Sequence, residues 1–313
     1  MLIVQHTTRL SYSDRISETV MEVRKAPRDD PYQVLRGHRT DIGPPTTLVA
    51  YTDWLGNRVH QFSILPYHDQ VIIMSQSAVD IDPEPANLSG EGAAGVSEHP
   101  LEVFDFVRPS TLVGEDPRLV ELTAKLGVDA SMGADQRADR VATALRDHIG
   151  YKKGVTTSAA TLACVLDEGA GVCQDLAHVA VGLFRSWGIP ARYVSGYLFL
   201  SDGPQELETH AWCDIHQPGI GWTALDPTHC CRRTPGHIVV AVGRDYADVP
   251  PNRGVFRGDA KESISVEVSI YETVEMPDTL RAPGIVTLDA PTFGEAAQTH
   301  EESLDYQQEQ QQQ

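Results

Sequence analysis

The sequence predicts an α+β protein, with a β-rich N-terminal part followed by a helical layer and a second antiparallel sheet. Three observations carry this prediction. Short alternating segments between turn signals fill the first eighty or so residues. Apolar residues at offsets of three and four dominate from Leu119 to Trp187. After residue 190 the apolar period switches to two.

In the first part, His60, Phe62 and Ile64 alternate with Gln61 and Ser63 just after a Gly56-Asn57 turn signal, and Val71 to Met74 is another apolar run. Several such strands at turn-separated intervals suit an antiparallel β-sandwich-like domain over residues 1–81. Residues 82–100, DPEPANLSGEGAAGVSEHP, are rich in Pro, Gly and acids and read as a linker or loop. A second domain is expected over 101–280. Its first helices carry Leu119, Leu122 and Leu126, then Ala138, Val141, Ala142 and Leu145. Its strands are expected near 191–200, 208–216, 221–226, 236–243 and 263–274. Residues 281–313 end in DYQQEQQQQ and read as an extended, Gln-rich tail.

With 25 basic against 44 acidic residues, the net charge is −19, so a nucleic-acid backbone or an anionic membrane would be repelled. The opening MLIVQHTTRLSYSDR has no basic leader and no long apolar run, which makes the cytoplasm the expected address. Five cysteines, an odd set, argue for free thiols. No spaced Asp, Asn and Gly pattern with a closing Glu points to calcium, and no cofactor is expected.

The segment GVCQDLAHVAVGLFRSWGIP places Leu176, Val179, Ala180, Leu183, Phe184 and Trp187 on a helix bounded by glycines and Pro190. Cys173 falls in its first turn, on the packing face, where unsatisfied N–H groups and the helix dipole favour a thiolate. His178 lies five residues on and is rotated well away from Cys173, towards solvent or a polar contact.

In THAWCDIH, a period of two puts His210, Trp212, Asp214 and His216 on one face and Ala211, Cys213 and Ile215 on the other. The turn QPGIG follows, and GWTALDPT groups Trp222, Ala224 and Asp226. Folding the two strands about Pro218 pairs Trp212 with Ala224 and His210 with Asp226, so that the carboxylate can orient the imidazole. A helix-start thiol with an oriented imidazole is what nucleophilic thiol catalysis needs. Zinc is the competing use of His210, Cys213, His229, Cys230 and Cys231. His210 and Cys213 point to opposite faces, however, and no zinc-ligand spacing follows, so no metal is expected.

The ordered set GVCQDLAH, THAWCDI, GWTALDPT and HIVVAVGRDYADVPPNRGVFRG resembles the bacterial transglutaminase-like proteins of the papain-related superfamily. YSDRISETVMEVRKAPR and DWLGNRVHQFSI resemble the β-rich N-terminal region that accompanies this core, so the resemblance runs from residue 1 to about 275. It implies a transglutaminase-like core with Cys173 as nucleophile, His210 as base and acid, and Asp226 as the orienting carboxylate. It also implies that Arg244 to Pro251 is a structural or cleft-lining segment. After Asp226-Pro227-Thr228 the family often continues with Asn and Gly, whereas this chain has His229, Cys230 and Cys231. The expected activity is hydrolysis of peptide or amide bonds in a protein or peptide substrate. Transamidation of glutamine by an amine is the alternative, and a non-catalytic interaction module the rival. Backbone N–H groups at the helix start would hold the oxyanion, with Gln174 and Trp212 as side-chain candidates.

Overall fold

The computed structural model describes residues 1–82, 103–200 and 209–281. The linker (but for Asp82 at its start) and most of the C-terminal tail therefore lie outside the described residues. Strand β1 (Leu2–Val23) organises the N-terminal part, followed by β2 (Gln33–Gly43), β3 (Leu48–Thr52), β4 (Arg58–Ile64) and β5 (His68–Ile81). The strands run in the order β2-β5-β1-β4-β3, all antiparallel. The first half of β1 pairs with β5 and the second half with β4, with an irregularity between Ser11 and Ile16. A bulge there bends the strand, as bulges do. One curled sheet thus wraps a core of Leu10, Ile16, Met21, Ile42, Phe62, Ile64 and Ile73. The expected sandwich is realised as this single sheet bent over itself.

The helical layer comprises α1 (Arg118–Lys125), α2 (Ala134–His148), α3 (Leu162–Glu168) and α4 (Cys173–Ser186), with two-residue strands β6 (Gly150–Tyr151) and β7 (Ala170–Gly171) between them. The second sheet contains β8 (Ala191–Leu198), β9 (Thr209–Gln217), β10 (Gly221–Asp226), β11 (Cys231–Arg232) and β12 (His237–Gly243), ordered β11-β10-β9-β8-β12. Every residue of α4 from Cys173 to Arg185 is buried, as expected of a helix with apolar residues on all sides. It packs on β8 and β9, with Leu176, Val179, Leu183 and Phe184 against Cys213, Ile215 and Leu225. No helix among the described residues is long and apolar enough to cross a membrane.

The chain then returns to its beginning. β13 (Asn252–Arg257) and β14 (Glu262–Glu272) both pair with β1, Leu2 opposite Glu272 and Tyr12 opposite Glu262. The strand expected near 263–274 in the second sheet therefore completes the first one. Its alternation was visible, but its partner lies 250 residues away in sequence and carries no local signal. A short α5 (Asp278–Arg281) follows.

Two buried amides join the sheets. Gln33 accepts from the Val239 N–H (2.8 Å) and donates to the Val239 carbonyl (2.7 Å); Asn57 does the same at Val242 (2.8 and 2.9 Å). They satisfy buried backbone groups along edge strand β12, the Val239 carbonyl also accepting the Arg28 N–H (3.2 Å). The Gly56-Asn57 turn thus also serves as an interdomain clamp.

Candidate active site

The loop before α4 is built to present its first residue. Asp175 reaches back so that Oδ2 accepts from the Val172 N–H (2.8 Å) and the Thr156 hydroxyl (2.6 Å). A Cβ on Gly171 would lie 2.5 Å from that of Asp175, so only glycine leaves room for this arrangement. Burial, against those two hydrogen bonds, raises the Asp175 pKa. Cys173 is held at the helix start, 7% exposed, among Ala177, Tyr193 and Ala211.

The hairpin β9–β10 carries the other two groups. Its register pairs Ala224 with Asp214 and Leu225 with Cys213, two residues away from the expected pairing, because the turn centres on Gly219 (φ 77°) and not on Pro218. A shift of two preserves strand parity. His210 and Asp226 therefore stay on one face, displaced along the strands, and His210 Nε2–H donates to Asp226 Oδ2 at 2.7 Å. Cys173 lies close enough to His210 to help raise its pKa. With Nε2 engaged by the carboxylate, Nδ1 is the nitrogen left to face the sulfur. Burial works against charge on His210. The Asp226 carboxylate outweighs it, aided by Cys173, and pushes the pKa up to about 10. This favours the imidazolium form of His210.

Asp226, 1% exposed, has a more elaborate environment than a dyad. His229 Nδ1 lies 2.9 Å and His237 Nε2 3.1 Å from the same Oδ2, while Oδ1 accepts the N–H groups of Thr228 (2.9 Å) and His229 (3.2 Å). His237 Nδ1 accepts from the Thr234 N–H at 3.0 Å, so its ring proton sits on Nε2 and points at Asp226. Burial pushes the His237 pKa down, keeping a neutral donor there. Burial also opposes charge on Asp226, yet His210, with the bonds from all three histidines, holds it well below the usual carboxylate range. The residues that depart from the family pattern thus supply a bond to the carboxylate. Sequence patterning offered His229 only as a rejected zinc ligand and did not single out His237; the signal for their joint role was repeated histidine within eleven residues of Asp226.

The other residues singled out by the sequence have their own places around this site. Gln174 donates its amide to the Ser158 carbonyl (3.0 Å) and is 2% exposed, so that donor is already used. Trp212 is fully buried and stacks beneath His210 (5.9 Å between centroids), with its edge against His237. It forms the floor of the histidine cluster, over Gly196, whose Cβ would lie 2.6 Å from the indole. His178 does not face solvent: it is buried and accepts the Tyr246 N–H at 3.1 Å, the polar-contact half of the expectation. In the segment from Arg244 to Pro251, Asp245 accepts the Leu112 N–H (2.7 Å) and Arg244 pairs with Asp248 (2.9 Å). Donor atoms of His210, Asp226 and His229, and of Asp226, Cys231 and His237, lie within 4.8 Å of one another, close enough to share a metal ion. The histidines in both groups already hydrogen-bond Asp226, an arrangement complete without an ion. Cys213 is buried against α4, far in character from a ligand, its thiol pushed up by burial.

Residues 121–227 match the transglutaminase-like superfamily core, and residues 2–94 match the bacterial transglutaminase-like N-terminal region. An uncharacterized protein of Mycobacterium tuberculosis is 30% identical over 303 residues, covering 89% of this chain and 94% of its own. The chain belongs to the transglutaminase-like superfamily. A protein-glutamine gamma-glutamyltransferase of Pseudomonas aeruginosa is 33% identical over 72 residues, covering 21% of this chain and 11% of that protein. The crystal structure of a putative cysteine protease from Cytophaga hutchinsonii superposes with a TM-score of 0.67 at 20% identity, covering 88% of this transglutaminase-like chain and 93% of that one. That likeness establishes the shared fold.

Proposed function

We propose that this chain is a thiol-dependent acyl-transfer enzyme that hydrolyses peptide or amide bonds, with Cys173 as nucleophile, His210 as acid and base, and Asp226 as its orienting carboxylate. The observation that carries the reading is the continuous contact from Asp226 through His210, its imidazolium form favoured, to Cys173 at a helix start. An imidazolium there is the counter-ion of a thiolate, so the sulfur attacks without first having to pass a proton to a base. As the carbonyl C–N bond breaks, His210 Nδ1–H protonates the leaving amine and the thioester forms. Neutral His210 then takes a proton from water, the hydroxide attacks the thioester, the C–S bond breaks, and the acid leaves with the thiolate restored. N–H groups of the first turn of α4 are the donors available to the oxyanion.

Transamidation is the second reading, supported by the local similarity to a gamma-glutamyltransferase. There an amine replaces water at the thioester. Two measurements test the pair. Iodoacetamide at mildly acidic pH should alkylate Cys173 before Cys164, Cys213, Cys230 and Cys231, and His210→Ala should remove that preference. Uniform slow labelling of all five would end the catalytic reading. A glutamine peptide with a fluorescent primary amine should release ammonia without conjugate, and conjugate formation would replace hydrolysis by transamidation.

A further inference from the structure

A cavity of about 270 Å³ lies where the curled sheet meets the catalytic segment. One wall comes from β1, β13 and β14 and includes Tyr12, Asn252, Phe256 and Glu262; the other includes Ser158, Thr209 and Tyr246. Tyr246 and Val266 of the cavity's lining pack against the buried cluster that contains Cys173. Thr209 directly precedes His210, and the Ser158 carbonyl holds the side chain of Gln174, which directly follows Cys173. The cavity therefore borders the cluster that holds the thiol.

The lining is rich in acceptors and poor in cations. Glu262 sits opposite Tyr12 across the β1–β14 ladder, and its carboxylate takes the phenol as a hydrogen-bond donor. Asn252 Oδ1 is buried and has no partner among the described residues, an acceptor that lacks a donor. The basic residue on the wall, His6, is 2% exposed, bonded to Tyr197 and Thr8, and held neutral by burial with Lys25 behind it. Phe256 meets Tyr12 edge to face at 4.8 Å, giving a methylene chain an aromatic wall and a cation a ring to lie against. The volume holds one long side chain.

We propose that this cavity is the specificity subsite of the acyl-transfer site and holds the cationic side chain, lysine or arginine, of a peptide substrate, with Glu262 and Asn252 receiving its N–H donors. The assignment rests on the reaction proposed for Cys173. Much of the wall belongs to the N-terminal sheet, which gives that sheet a part in choosing the substrate. The net charge of −19 favours the approach of such peptides.

Binding without turnover is measured on the Cys173→Ala protein with fluorescein-labelled hexapeptides. Each has one glutamine in a glycine background and lysine or norleucine at each flanking position in turn. The best lysine peptide should bind about tenfold more tightly than its norleucine counterpart at low salt, since a charge-assisted hydrogen bond contributes on that scale. Added salt should narrow the difference, and Glu262→Gln in the same background should abolish it. Equal binding of the two peptides, no binding by either, or a lysine preference that survives Glu262→Gln would overturn the proposal. Iodoacetamide labelling of the wild type reads the reaction separately. A lysine preference without selective Cys173 labelling would leave the subsite standing and remove the enzyme, and the converse result would do the opposite.

Discussion

Asp226→Asn tests the site at its most connected atom. Oδ2 accepts from three histidines and Oδ1 from two backbone N–H groups. An amide has one acceptor oxygen. If it faces the histidines, its NH₂ confronts Thr228 and His229 N–H; if it is flipped, it confronts three imidazoles. Either orientation leaves buried donors unpaired, at about 1–3 kcal/mol each. His210 also loses the charge that does most to lift its pKa to about 10, and burial then favours the neutral imidazole. The sulfur of Cys173 then lacks the cationic neighbour that the proposed reaction uses. The assay is the rate of Cys173 alkylation by iodoacetamide at pH 6, with circular dichroism to confirm folding. The rate should fall about 100-fold or more, in line with the losses seen when a triad carboxylate becomes an amide. A folded variant that alkylates within about threefold of wild type would refute the coupling of Asp226 to Cys173 through His210.

His237→Ala removes a buried donor and leaves a void, and should lower unfolding stability by about 2–4 kcal/mol in urea titrations while slowing Cys173 alkylation. Gly171→Ala places a methyl against Asp175 and should cost more than about 2 kcal/mol, whereas a substitution tolerated within about 0.5 kcal/mol would show that the Asp175 cap is dispensable. Gln33→Leu should lower stability by about 1–3 kcal/mol by unpairing the Val239 N–H on the edge of β12, whose carbonyl keeps the Arg28 N–H, read as an earlier urea midpoint. Two groups give opposite pH trends. His210, raised to about 10, contributes stability that is full below 6.5 and lost as pH rises towards 10. Lys25, lowered by burial to about 7, makes the unfolded state bind more protons above pH 7, so stability rises from there to its ordinary value of 10.5. The wild type should therefore vary little between pH 7 and 10, Lys25→Met should expose the fall, and Asp226→Asn the rise. A Lys25→Met protein as flat as wild type would contradict the assignment.

The helix that carries Cys173 was legible because Leu176, Val179, Ala180, Leu183 and Phe184 repeat at helical spacing. The grouping of His210 with Asp226 was legible from strand parity, which is why a register error of two residues left the pairing of faces intact. The extra donors on Asp226 were not. The His229 position depends on a loop conformation, and His237 arrives from β12, on the far side of β8 and β9 in the sheet.

The amino-acid sequence by itself determined the α+β class, the buried helix, the alternating strands and the three residues of the candidate triad, because periodicity and turn chemistry act over a few residues. Only the tertiary structure decided that β13 and β14 close the first sheet on β1, that Gln33 and Asn57 clamp β12, and that three imidazoles converge on one carboxylate oxygen. Those contacts join segments far apart in the chain. Their partners are selected by burial and by the need to pair every buried polar group, which no local pattern records.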